Sequence, residues 1–535
     1  MFFGNAPGSP LLYKKMMKSH THTQTGAALI IFLTILILGI TAILLSELNT
    51  RNDLMLEDQE QTRRALRQAK EALIGFAATF YDRSPGRYGF LPCPDTNTTS
   101  GLEEGVAHGS CPPNIPPGTI PAGTNANRSS LGRLPWRTLG LPALRDGASE
   151  CLWYAVSGPY KGVSSTAAVT DMLNEDTNGL FEVFISDDLQ NPSALTGTQP
   201  QERAVAVIIA PGKILSDEYK YNDQDRSIEK GAELCGGNYT PSNYLDIDKD
   251  VDDLNEIIGS EISNAEFSIE QDTLNKFITA QDNLSLINDR IVYITREELW
   301  GAIRKRLDFM IKMQDLTRSA ASCVANYANS STDRRLPWAA PVDLAADYRD
   351  DTAYTDQNLV LSGRLPNDIK NSSGSNDFLI TNCDSTIMTP ELLTLWQNWK
   401  DHLFYAVANA HQPNASTTTP VCDNSDILSE NDCLQVNNNN YAAVVMFSNG
   451  PLPVVGSPAK EQLRDNKGDI TNYLEGLNAI VNTDGKGTYQ QWNLSNDINN
   501  PDNINDILYC IRDSDLAVML CPCTPAMKAI HSWCP

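Results

Sequence analysis

The carboxylates with the clearest capacity for chemistry lie in YLDIDKDVDDLNE, where Asp246, Asp248, Asp250 and Asp252 alternate along the chain. In an extended loop that spacing turns several hard oxygens to one side, as Ca²⁺ requires. The stretch opens like an EF-hand loop, but it lacks the sixth-position glycine and has Ile257 where the twelfth-position Glu should stand. A solvated acidic loop is the competing reading. The 12 cysteines form a second group, even in number and without any C-x-x-C spacing. This favours disulfides in an oxidising compartment over zinc or thiol redox chemistry. Cys93 with Cys111 and Cys422 with Cys433 close short loops and are the preferred pairs; the full connectivity stays open. Cys521 and Cys523 are too close for an ordinary mutual bridge. No nucleophile-elbow, metalloprotease, Walker or dinucleotide pattern occurs, and His108, His402, His411 and His531 stand alone. No catalytic residue is assigned, and the chain is expected not to be an enzyme.

The elements that must carry these groups follow from length and pattern. At 535 residues the chain exceeds one hydrophobic core, and 20% charged with 41% hydrophobic residues describes a folded chain. A net charge of -25 opposes nucleic acid as a partner, since phosphates need a basic footprint. The apolar run Gly26 to Leu45 is long enough, as a helix, for the roughly 30 Å of a bilayer core. Lys14, Lys15 and Lys18 precede it and Glu47, Asp53, Glu57 and Asp58 follow it, so the N-terminus is expected in the cytoplasm. Beyond it Leu66, Ala69, Leu73, Phe76, Ala77 and Phe80 keep helical spacing to about Tyr81.

A polar leader ending at Gly26 and running directly into an apolar helix resembles the class III signal of type IV pilins and type II secretion pseudopilins. The resemblance implies cleavage by prepilin peptidase between Gly26 and Ala27; an uncleaved signal anchor is the plainer alternative. It is strengthened by the order KEALIGFAATF, LPCPD, LPWRTLGLP and LWYAVSG, which is similar to one branch of pseudopilin-like proteins over about residues 26–158. The branch's D-x-W-G before the last strand is missing, because Asp146 is followed by Gly147, Ala148 and Ser149. The carboxylate usual five residues after the cut is also missing, and Ile31 stands in its place. That lack is shared by tip pseudopilins and some minor pilins. Calcium binding in pseudopilin heads raises the standing of Asp246 to Asp252 as a metal loop.

Motifs of the first half recur in order in the second. FLPCPD at Phe90 answers to RLPWAAPVD at Arg335, LWYAV at Leu152 to LFYAV at Leu403, and AVAVIIAPG at Ala204 to YAAVVMFSNG at Tyr441. NYLD at Asn243 pairs with NYLEG at Asn472, and NDRIVYITREEL at Asn288 with NDILYCIRDSDL at Asn505. The expected fold is α+β: an N-terminal transmembrane helix extended into a pilin-like helix, then two tandem lobes of helix plus antiparallel sheet. The expected divisions are a leader at 1–26, the helix at 27–81, one lobe at 82–296 and its duplicate at 297–535. A single long helix over Arg296 to Ala328, with Leu299, Ile303, Leu307, Ile311 and Leu316 on one face, is expected to join the lobes.

The function these features imply is a minor, tip-type subunit of a type II secretion or type IV pilus-like filament, acting in assembly or cargo recruitment. A pilus-tip adhesin with a ligand-binding distal lobe is the alternative. The expected partners are other pilins, prepilin peptidase and the inner membrane, with calcium the one cofactor in prospect. The expected location is the bacterial inner membrane, single-pass, with the bulk in the periplasm or at a filament tip.

Overall fold

The computed structural model describes residues 25–96, 103–109, 111, 128–162, 172–186, 192–214, 224–228, 232–245, 262–265, 272–280, 287–370, 376–415, 422, 432–454, 460–493 and 503–522. The chain divides into two compact units, 1–59 and 60–535. Helix α1, Thr25–Ala78, begins in the first and ends in the second. Gly26 and Ala27 lie within this helix.

Two expectations are corrected at once. Among the described residues no helix is long and apolar enough to cross a membrane. The transmembrane helix of the expected fold, and the single-pass inner-membrane location built on it, are therefore withdrawn. The fold is mixed, with several sheets and five α-helices among the described residues. Its sheets are not purely antiparallel either.

After α1 come α2 (Phe80–Arg83) and a seven-stranded sheet made of β1 (Ser130–Arg133), β2 (Trp153–Val156), β3 (Phe181–Ile185), β4 (Ser193–Thr196), β5 (Ala204–Ala210), β6 (Asn275–Thr279) and β7 (Arg290–Thr295). Helices α3 (Arg296–Arg304) and α4 (Leu307–Ser330) follow. Then come β8 (Ser362–Arg364), a small ribbon of β9 (Asp368–Lys370) and β10 (Asn376–Phe378), α5 (Pro390–Trp399), β11 (Leu403–Val407), β12 (Leu434–Val436) and β13 (Asn439–Phe447). A second ribbon, β14 (Pro453–Val454) with β15 (Lys460–Glu461), precedes β16 (Thr488–Tyr489), β17 (Ile507–Arg512) and β18 (Val518–Leu520). Seven of these strands, β8, β11, β12, β13, β16, β17 and β18, make the second large sheet.

The two large sheets share one wiring. β1-β2-β5-β7 and β8-β11-β13-β17 are antiparallel neighbours in that order. β3 and β12 each pair with the start of the long central strand and each take a parallel partner, β6 and β16. The registers also agree. Tyr154 lies opposite Gly132 and Ile208, and Tyr405 lies opposite Gly363 and Val445. Both tyrosines donate across to the first proline of their loop, Tyr154 to the Pro92 carbonyl and Tyr405 to the Pro337 carbonyl, each at 3.1 Å. The glycines have a steric reason: a Cβ at Gly132 would stand 2.7 Å from the Asp95 carbonyl oxygen, and one at Gly363 would collide with that of Ala340. Only glycine lets the Pro-rich loop bridge onto the strand so closely.

One core holds the helices between the two sheets. α1 contributes Ala65, Leu66, Ala69, Leu73 and Ala77, α4 contributes Phe309, Met313, Leu316 and Ala320, and the sheets add Tyr154, Val156, Tyr405 and Val407. The other faces close smaller cores, Trp153 with Tyr244 in the first sheet and Phe404 with Tyr473 in the second. The single joining helix is corrected to two. Arg306 sits extended between α3 and α4, and its guanidinium binds the Ala78 carbonyl and Asp82, each at 2.8 Å. That break exposes Leu307 and Ile311, while Leu299 and Ile303 stay buried. Apolar period alone could not place it, because the break is fixed by the end of α1.

Among the described residues five disulfides are formed: Cys93–Cys111, Cys151–Cys235, Cys323–Cys383, Cys422–Cys433 and Cys510–Cys521. Cys523 and Cys534 lie outside the described residues.

Candidate functional site

The four aspartates of the expected calcium loop, Asp246, Asp248, Asp250 and Asp252, lie outside the described residues. The densest described constellation of ionisable groups was not singled out in the sequence. It joins the loop at Leu173–Thr177 to the start of β11 and the loop at Arg464–Tyr473.

At its centre Glu175, Asp176 and His402 are buried with oxygen and nitrogen atoms close enough together to hold one metal ion. Two carboxylates and an imidazole are a reasonable donor set for a divalent cation. The protein's own cations take the oxygens instead. Glu175 accepts from Arg464 Nη1 at 2.9 Å and from Arg304 Nη1 at 2.7 Å. Asp176 Oδ2 accepts from the Tyr473 hydroxyl at 2.8 Å and has Lys467 Nζ at 3.6 Å. His402 Nε2 is 3.2 Å from the same oxygen, near enough for charge interaction though not aligned as a hydrogen bond. Lys467 also grips Asp401, whose other oxygen accepts from Asn174 Nδ2 at 2.8 Å. Metal entry here would mean displacing two arginines and a lysine, so these residues do not fit a cation site as they stand.

Charge complementarity explains the protonation states. Burial alone would raise the Asp176 carboxyl, but His402, Lys467 and Arg464 hold it well below the ordinary carboxylate range. Burial would likewise lower the Lys467 ammonium, and Asp401 and Asp176 hold it above its usual value. The cluster is a neutralised lock between segments about 290 residues apart in sequence. It is reached from outside through a cavity of about 280 Å³ bounded by Met172, Asp272, Tyr348 and Lys467.

His411, Cys422, Cys433 and Asp513 form the other group at ligand distance among the described residues. Its sulfurs are bonded to each other, and Asp513 Oδ1 lies 2.6 Å from His411 Nε2. No thiolate is left to ligate.

A repeated polar clamp lies behind each sheet. Asn264 donates to the Ile278 carbonyl and accepts from the Ile278 amide, each at 2.8 Å, while donating to Asp289 at 2.8 Å. Asn478 does the same to Gln490 (2.9 and 2.8 Å) and to Asp506 (2.9 Å). Asp506 is wholly buried, and its Oδ2 accepts from the Glu475 backbone amide at 3.2 Å. Burial and the neighbouring Glu475 push its pKa well above the ordinary range, and burial raises Glu475 as well. A raised carboxyl favours the folded state only while protonated. Stability is therefore full below the unfolded carboxyl value and falls as pH rises toward the folded one, at up to about 1.4 kcal/mol per pH unit for one proton. Asp506→Asn is expected to flatten this slope above about pH 4. Chemical denaturation across pH checks it, and an unchanged slope would mean that Asp506 does not hold a proton in the folded state.

No family model matches the chain, and no curated protein or solved structure is similar to it.

Proposed function

We propose that the chain is a minor, tip-type pseudopilin- or pilin-like subunit that acts in filament assembly or cargo recruitment. The observation that carries this reading is α1: one helix over Thr25–Ala78, whose second half lays Leu66, Ala69, Leu73 and Ala77 into the core between the sheets. A helix that leads into a helix-on-sheet head is the layout a pilin-like subunit needs. Ile31 in place of the usual acid supports a terminal position, because the shaft contact to a neighbour's N-terminal amine is not available to it. The size of the 60–535 unit supports it too, since a head of that size at every axial step of a shaft would meet the one above.

The test is made in cells that have an active prepilin peptidase. Intact mass of the recovered protein should start at Ala27, and gold labelling should find the chain at filament ends in few copies. A mature protein that retains Met1, or even labelling along the shaft, would reject the reading.

A further inference from the structure

The second half of the α1 pattern is not fully spent on the core. Leu66, Ala69, Leu73 and Ala77 are buried, but Phe76 and Phe80 are only partly so and turn toward the LPCP loop. Together with Pro92 they floor a cavity of about 290 Å³ walled by Arg83, Arg87 and His108. That volume lies near the lower end of the ~300–1,000 Å³ usual for small-molecule sites.

The charge of this cavity runs against that of the whole molecule. The chain carries a net -25, yet among the described residues no carboxylate lines the cavity. The Arg83 guanidinium is fixed over the Phe76 ring at 4.0 Å and donates to the Phe76 carbonyl at 2.8 Å, so its position is set before any ligand arrives. The Arg87 guanidinium is half-buried, and among the described residues no acceptor is recorded for it. Burial lowers the Arg87 pKa, with no acid among the described residues to offset it, and burial likewise lowers His108. A guanidinium kept partly dry with no counter-charge among the described residues is a standing cost that an incoming anion would relieve. The aromatic floor decides what kind of anion. Inorganic phosphate would leave Phe76, Phe80 and Pro92 uncovered, whereas a carboxylate with an apolar body covers them and reaches the arginines.

We infer that the cavity between the end of α1 and the Cys93 loop binds a small organic carboxylate, with an aromatic or aliphatic body on Phe76 and Phe80 and its carboxylate on Arg87 and Arg83. This inference does not rest on the filament reading. The carboxylate could come from a free metabolite or from the C-terminus of a peptide, and the chemistry is the same for both.

Titration calorimetry on the full chain tests it with 3-phenylpropionate, its amide, inorganic phosphate, and acetyl-Ala-Phe with a free or an amidated C-terminus. The acid should bind at least about tenfold more tightly than its amide, since a charge-assisted hydrogen bond is at stake. Arg87→Leu should lose about tenfold in affinity with an unchanged unfolding midpoint, because the side chain is only half-buried. Phe80→Ala should weaken 3-phenylpropionate but not acetate. Binding of the free-terminus peptide assigns the peptide source, and binding of 3-phenylpropionate alone assigns the metabolite source. Equal affinity for acid and amide, equal competition by phosphate, undiminished binding by Arg87→Leu, or no saturation with any carboxylate up to about 10 mM (K near the weak limit of useful binding) would each overturn the inference.

Discussion

Replacing Arg464 with Met is expected to destabilise the 60–535 unit by about 3–5 kcal/mol, the cost of removing one partner from a buried ion pair. Arg464 is almost fully buried, and its Nη1 lies 2.9 Å from Glu175 and 3.8 Å from Asp176. Its Nε donates to the Asn472 carbonyl at 3.2 Å, and its guanidinium faces the Tyr473 ring at 5.1 Å. Methionine keeps much of the volume and removes the charge, so the loss reports electrostatics more than packing. Glu175 would retain Arg304, and Asp176 would retain Lys467 and Tyr473. The double variant Glu175→Gln with Arg464→Met should cost less than the two single losses together, because the orphaned carboxylate is gone. The effect should be read on the first cooperative unfolding transition, since a unit of this size need not unfold in one step. The pH response has a definite sign. Asp176 is held below its usual value, so its contribution is present above the unfolded carboxyl range and lost as pH falls through the folded value. Without Arg464 that loss should begin at a higher pH. A change under about 1 kcal/mol, or an unshifted acid limb, would mean that the cluster does not lock the loops.

Trp399→Ala should be at least as damaging, at about 3–5 kcal/mol, the usual range for deleting a fully buried aromatic. Trp399 ends α5 with 1% exposure and meets Trp300 of α3 and Phe309 of α4 edge-on, each at 5.5 Å. It also packs against His402 at 4.9 Å and Phe447 of β13 at 5.8 Å. Such edge-to-face pairs add about 0.5–1.5 kcal/mol each beyond buried area. A cavity bounded by three helices and a central strand cannot collapse without moving those helices and the second sheet, which is why the cost should sit high in the range. Trp399→Phe should recover roughly half. Denaturant midpoints at unchanged m-values measure both variants, and a Trp399→Ala loss below about 1.5 kcal/mol would show that the site relaxes freely.

The opposite pH signs of Asp176 and Asp506 follow from one physical difference. Both are buried, but Asp176 faces Lys467, Arg464 and His402 while Asp506 faces another carboxyl. Acid should therefore weaken the lock and strengthen the clamp behind the second sheet.

What the sequence by itself determined was local and periodic. LWYAV and LFYAV become β2 and β11, AVAVIIA and the apolar run at Tyr441 become the central strands β5 and β13, and the ND-started segments become β7 and β17. Strand-forming side chains and turn residues specify such elements over a few positions. The short loops closed by Cys93–Cys111 and Cys422–Cys433 were legible for the same reason. One further signal lay in plain view: Gly-Arg-Leu-Pro at Gly132 and again at Gly363 marks the matching edge strands β1 and β8. Their arginines, Arg133 and Arg364, stack on Tyr244 and Tyr473 of the two NYL motifs at 5.2 and 4.5 Å. Tertiary structure alone decided the rest. The break at Arg306 depends on the carbonyl of Ala78, some 228 residues earlier. The lock depends on Asp176 meeting Tyr473, 297 residues later. Neither contact leaves a periodic trace, because a buried ion pair needs only one residue from each segment, and its partner is chosen by how the sheets and helices pack.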